Sequence, residues 1–253
     1  MKTRKSTKTT VTTDTGIMFS APMVRAIKTD AKTVTRRTLS WANTLVDGRR
    51  SRAAFERLDL ARALRGADGV MRAPETGTET LRALTSVLPA GRRLWVRETW
   101  LQLKGMSDGT VHTGTADESF PTLYAADVPE RDVEKLGPWR SAMLMPRWAS
   151  RLELEVVSTK IERLHDITPE QILAEGVRVP VDREGHALVE IGGANSAIDF
   201  IPPEAPRTLD LYLRAYWASG WSRINGRASW DANPLVHAIT FRRVEKRPTG
   251  EGV

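Results

Sequence analysis

The chain has 253 residues, of which 40% are hydrophobic and 27% charged, with a net charge of +7 at pH 7 and no cysteine. Such a composition reads as globular and soluble, and it excludes disulfides and thiolate metal sites. No run of about 18 apolar residues spans a bilayer and no apolar leader opens the chain, so a cytoplasmic protein without a membrane partner is expected. The histidines His112, His165, His186 and His237 lack ligand spacing, and neither a metal nor another cofactor is expected.

The charge is unevenly placed. Residues 1 to 40 hold Lys2, Arg4, Lys5, Lys8, Arg25, Lys28, Lys32, Arg36 and Arg37 against Asp14 and Asp30, which accounts for the whole net charge of +7. A basic segment on a neutral body suits a polyanion-binding arm and site. Residues 1–15 are polar, threonine-rich and without an apolar period, so they are expected to be a disordered arm, either solubilising or in contact with nucleic acid.

In chain order, residues 16–20 read as a first strand. A helix opens near Pro22 with Met23 and Ile27 on one side. Asp30 to Ser40, DAKTVTRRTLS, has the alternation of a strand yet carries a lysine, three threonines and two arginines. Residues 41–90 read as a helical insertion, because Phe55, Leu58, Ala61 and Leu64, and then Leu81, Leu84 and Leu88 after Thr78, keep helical spacing. LWVRETW predicts a strand covered on both faces. Residues 105–137 read as a loop or hairpin. RLELEVVSTKIERL is the longest strand signal, with Leu152, Leu154 and Val156 alternating against Glu153 and Glu155 and a bulge expected near Ser158.

ITPEQILAEG predicts a short helix with Thr168 as N-cap, Gln171 completing a capping box and Gly176 stopping it. Residues 178–206 read as a second loop insertion. Leu209, Tyr212, Leu213, Tyr216 and Trp217 form an amphipathic stripe. The chain closes with a SWDANP turn, a strand LVHAITFRRV and a flexible tail over 245–253. Strand, helix, strand and then several strands around short helices predict an α+β fold, a small, mainly antiparallel β-barrel with flanking helices, in one domain over residues 16–244. Phosphate-binding glycine loops and a GxSxG elbow are absent.

MFSAPMVRAI followed by AKTVTRR, then GRRLWVRETW, MPRWASRLELEV, ITPEQILAEGV and SWDANPLVHAITFRRV resemble, in order, the blocks of ASCH-domain proteins in the long form carried by tailed phages and prophages. The resemblance implies a PUA-like barrel whose relatives bind RNA or modified bases in a cleft beside the barrel. Some ASCH proteins are amidohydrolases that remove an acetyl group from the exocyclic amine of cytidine, others are ribonucleases, and the phage branch is labelled morphogenetic. By motif, the amidohydrolase residues fall on Lys32, Thr35 and Glu175. Asp30 and Ala31 stand where the family has Gly and Arg.

The chemistry of these residues supports two classes of function. One is a module that binds RNA, DNA or a modified nucleoside in a basic cleft, with Thr33, Arg36, Arg37, Arg97, Glu98 and Trp100 around Lys32, Thr35 and Glu175. The other is a hydrolase acting on an acylated base or on RNA, with Lys32, Thr35 and Glu175 as catalytic residues: a desolvated lysine as base, a threonine hydroxyl beside it as nucleophile or donor. A virion assembly role is a third reading. For joint action Lys32 must lie in a turn or before a bulge, since an ideal strand would point Lys32 and Thr35 to opposite faces. Glu175 sits at the negative end of a helix dipole, a locally unfavourable place. Lys32 and Glu175 are expected within direct or one-water reach, with Thr35 facing the same cavity and Arg36 or Arg37 at its rim. Neither Lys32 nor Glu175 belongs to an apolar stripe, so replacing either is expected to cost little stability. Oligomeric state has no signal in the sequence.

Overall fold

A computed structural model describes residues 15–102, 121–178, 187–190, 198–201 and 206–246, with only the backbone for 187–190, 198–201 and 206–209. The basic arm up to residue 14, most of the 178–206 insertion and the end of the tail lie outside the described residues. The chain forms two compact units, one of Met1–Val24, Gly91–Val156 and Arg243–Val253, the other of Arg25–Ala90 and Val157–Arg242.

Strand β1 (Thr15–Met18) is followed by α1 (Ala21–Lys28) and β2 (Val34–Thr38). Next come β3 (Thr44–Val46), α2 (Arg52–Glu56), β4 (Leu64–Arg65), β5 (Met71–Pro74) and β6 (Leu81–Ser86). The middle of the chain holds β7 (Arg93–Arg97), β8 (Trp100–Gln102), β9 (Thr122–Tyr124), α3 (Glu130–Val133) and β10 (Glu153–Arg163). Helix α4 (Pro169–Ala174), strands β11 (Ala187–Glu190) and β12 (Ile198–Ile201), helices α5 (Pro206–Asn225) and α6 (Arg227–Asp231), and strand β13 (Leu235–Val244) complete it. The fold is mixed α+β, and no sheet closes into a barrel among the described residues.

In the first unit β1 lies parallel to β7, and β7 pairs antiparallel with the start of β10. Strands β8 and β9 pair antiparallel, and residues 103–120 between them, which include much of the 105–137 segment read as a loop or hairpin, lie outside the described residues. Trp100, Met145 and Ala149 are buried together, with Tyr124 and Trp148 packed against them. The polar side of β10 departs from simple alternation: Glu153 is buried, held by the guanidinium groups of Arg93 and Arg147.

The second unit overturns the helical insertion. Residues 41–90 fold into a four-stranded sheet in the order β3-β6-β5-β4, and only α2 and a single 3-10 turn at Leu60–Arg62 are helical. The spacing of Leu81, Leu84 and Leu88 misled because a helical stripe would bury all three, whereas Leu84 is buried and Leu81 is exposed in a strand. Thr78 caps no helix; it sits in the turn between β5 and β6, where Gly77 takes a φ of 80°. Val46, Leu58, Met71, Ala73 and Leu84 form the core of this sheet together with Ile161 of β10 and Leu235 of β13. Elsewhere in the unit, Leu213 of α5 packs with Ile167 and with Ile172 of α4, while Trp221 packs with Leu164 and Val236. SWDANP is the end of α6 and its exit, where Asn233 adopts a φ of 42° and accepts a hydrogen bond from the His165 amide.

Candidate functional site

Two short segments of the second unit set the site. After α1, Asp30 takes a left-handed φ of 54°, and the amides of Ala31 and Lys32 both donate to the carbonyl of Ala26. Aspartate is one of the few side chains that tolerates this conformation, so the turn forms without glycine. Lys32 therefore lies in the turn, ahead of β2.

Helix α4 supplies the opposite wall. Its capping box is complete, with the Thr168 side chain accepting from the Gln171 amide and Gln171 accepting from the Thr168 amide. Glu175 is the C-cap and Gly176 follows at a φ of 86°, the conformation that ends a helix at little steric cost only for glycine. A β-carbon on Gly176 would stand 2.8 Å from Cβ of Ala26 and 3.0 Å from Cβ of Lys32. The bare glycine is what lets the two segments meet. Lys32 and Glu175 form an isolated antiparallel bridge, and the Thr33 amide donates to the Ala174 carbonyl at 2.8 Å.

The side chains then build a buried charge network. Lys32 Nζ donates to Glu175 Oε2 at 2.6 Å and to the carbonyls of Val34 and Glu175, each at 2.9 Å. Arg36 Nη1 donates to Glu175 Oε1 at 3.2 Å, and its Nη2 donates to Glu162 Oε1 at 2.7 Å and to Gln171 Oε1 at 2.8 Å. Lys160 approaches Glu162 Oε2 at 3.0 Å. Lys32, Arg36, Glu162 and Glu175 are each at most 6% exposed. Burial pulls the Lys32 ammonium below its ordinary pKa, with Glu175 pulling the other way and Arg37 and Arg36 adding to the fall. Arg37 is also lowered by burial, against the attraction of Glu175.

Strand register separates the remaining candidates. Thr35 pairs with Ile239 and Arg37 with His237 across β2 and β13, so these four side chains share one face while Arg36 and Ala238 take the other. Thr35 is buried on the face of β2 opposite to Arg36, not on the side of the Glu175 network as one shared cavity would require. His237 is buried with Nε2 on the Thr44 hydroxyl at 3.1 Å, and burial holds its pKa down to about 4. Arg36 is thus not at a rim; it is the centre of the buried network. Thr33 contributes backbone, since its amide meets Ala174 and its carbonyl accepts from the Phe241 amide.

Arg97, Glu98 and Trp100 belong to the first unit, and they are engaged there. Trp100 is fully buried in an edge-on contact with Trp148, so it offers no open face for stacking a base. Glu98 is buried, with Arg151 Nε at 2.9 Å from one carboxylate oxygen and Nη2 at 3.1 Å from the other. Arg97 lies over the Trp95 ring at 5.1 Å and donates to the Met143 carbonyl. None of these contacts involves Lys32 or Glu175. Glu162 had no distinguishing signal in the sequence, while Gln171 was visible only as part of the capping box.

Among the described residues no group of acidic or histidine side chains is arranged to hold a metal, and no helix is long and apolar enough to cross a membrane. No family model, curated protein or solved structure matches the chain.

Proposed function

We propose that the chain is an ASCH-type protein that binds nucleic acid or a modified nucleoside at the Lys32–Glu175 site. The observation that supports this reading is the network itself. It places a buried lysine, an arginine and two carboxylates where apolar side chains of the same volume would be at least as stable. Polar groups gathered against that preference are where function is to be sought. Arg37, within the field of Glu175, adds a further cation for a polar ligand edge. The basic residues concentrated in the first 40 positions would add salt-dependent attraction to a phosphate backbone.

Hydrolysis of an acylated base is the second reading, favoured by the lowered pKa of Lys32. A base needs a lone pair on nitrogen, however, and Lys32 has an acceptor for each of its three protons. This arrangement favours the ammonium and ranks binding ahead of catalysis.

The test is equilibrium binding of the full chain to N4-acetylcytidine, cytidine, and short single-stranded RNA and DNA, with mass spectrometry of the recovered ligands. Retention without turnover is expected. Release of acetate or strand cleavage would replace binding with hydrolysis, and absence of both would remove the site reading altogether.

A further inference from the structure

We propose that Glu162 is a positioning residue for Glu175, acting through Arg36, so that a residue outside the ligand site determines the geometry of the carboxylate within it. The inference rests on the reading of Lys32 and Glu175 as the ligand site, and it assigns Glu162 a supporting role behind it.

One guanidinium organises three segments. From β2, Arg36 reaches Gln171 at the start of α4 and Glu175 at its end, two residues one helical turn apart on the same face. A single rigid fork therefore sets both the position of the helix along the strand and the direction of the Glu175 carboxylate. The fork is itself anchored by Glu162 from β10, whose 2.7 Å contact is the shortest that Arg36 makes to the three groups, against 3.2 Å to Glu175. Charges alternate in sign along the chain of contacts, from Lys160 at the surface through Glu162, Arg36 and Glu175 to Lys32. Lys160 is half exposed while Glu162, Arg36 and Glu175 are enclosed.

The geometry gives Glu162 a defined effect. With Glu162 present, Arg36 divides its charge between two carboxylates and leaves Glu175 Oε2 to Lys32. With Glu162 neutral, Glu175 becomes the sole anionic partner of Arg36 among the network residues and is drawn away from Lys32. A residue that only filled space would have no such directional consequence.

Glu162→Gln keeps the shape and removes the charge. In the full chain, the Lys32 ammonium followed by NMR of its Nζ and Cε should titrate at lower pH in this variant than in the parent, because it loses both the anionic field of Glu162 and part of its hold on Glu175. The neighbouring core substitution Ile161→Val should leave that titration unmoved although it reduces stability. With N4-acetylcytidine and a short single-stranded RNA as probes, Glu162→Gln should weaken whichever probe the parent binds by at least about tenfold. The double variant Glu162→Gln/Glu175→Gln should bind no worse than Glu175→Gln alone, as expected for two residues acting in series. An unchanged Lys32 titration, or additive losses in the double variant, would overturn the positioning role. A parent that binds neither probe while the Lys32 titration still moves in Glu162→Gln would uphold the positioning geometry and remove only the ligand reading on which it rests.

Discussion

Lys32 Nζ meets Glu175 Oε2 at 2.6 Å although the two residues stand 143 positions apart in the chain, and both side chains are almost wholly enclosed. This enclosure reverses the expectation that either could be replaced cheaply. Removing one member of a buried pair strands the other, at a cost of about 3–5 kcal/mol. Lys32→Ala leaves two carboxylates with Arg36 as their shared buried cation, and Glu175→Gln leaves the ammonium facing a neutral amide. Urea unfolding should show losses of that order for Lys32→Ala. The double variant Lys32→Met/Glu175→Leu should recover much of that stability while binding no nucleoside. A single variant within about 0.5 kcal/mol of the parent would place this pair among inconsequential surface bridges.

The close approach of Gly176 to Lys32 yields a sharper substitution. Gly176→Ala places a methyl at 2.8 Å from Ala26 Cβ and at 3.0 Å from Lys32 Cβ, on a residue whose φ is 86°. The left-handed conformation alone costs about 1–2 kcal/mol and overpacking adds about 1–3. A total loss of about 2–5 kcal/mol is expected, with Lys32 displaced from Glu175 and ligand affinity reduced. Gly77→Ala is the control, because it shares the backbone conformation, at a φ of 80°, but has nothing within 4 Å of the added carbon. It should lose only the backbone contribution. Equal losses in the two variants, by thermal or denaturant unfolding, would show that the contact with Lys32 carries no weight.

What was legible in the sequence follows from the range of the interactions that carry each feature. Helix α4 could be read residue by residue because its signals are local, with Thr168 and Gln171 within one turn at its start and Glu175 and Gly176 adjacent at its end. The strand ending in LVHAITFRRV declared itself by length and β-branched content, and it is observed at Leu235–Val244. The 41–90 segment was misread because i, i+3, i+7 leucines satisfy a helix locally, while the sheet they join is held by pairing between segments far apart, such as Thr44 with Ser86. Glu162 was invisible for the same reason. Glutamate on an alternating strand looks solvated until the partner that buries it, Arg36, arrives from 126 positions away. The Lys32–Glu175 juxtaposition was anticipated through the family resemblance, whereas the inward turn of Arg36 was not.

Trp100 and Glu98 should influence stability rather than recognition. Trp100→Ala empties a fully buried indole site, for which about 3–5 kcal/mol is expected. Arg151→Ala removes both guanidinium hydrogen bonds from the buried Glu98 carboxylate, a loss on the order of 3 kcal/mol. Titration of the folded variants with the probe that the parent binds should return the parent affinity. A variant that stays folded yet loses binding would return Glu98 or Trp100 to the ligand site.

The pH dependence of stability should carry the signature of His237. Its imidazole is buried, donates or accepts through Nε2 on Thr44, and is held down from the ordinary 6.5 to about 4 because burial disfavours the imidazolium. The folded state therefore binds fewer protons than the unfolded state between these values, and stability falls as pH drops from 6.5 towards 4. Above 6.5 both states hold a neutral ring and the contribution is complete; below 4 both are protonated and it has gone. The difference of about 2.5 in pKa corresponds to about 3 kcal/mol at 1.36 kcal/mol per unit. Carboxylates also titrate near the lower end of this window, so the informative quantity is the comparison with His237→Gln. That variant cannot charge, and its stability measured by denaturant at pH 7.5, 6, 5 and 4.5 should decline less steeply than the parent's. The gap between the two curves should change by roughly 2–3 kcal/mol across the interval, and parallel curves would mean that the ring gains a proton without opening the β2–β13 pairing around it.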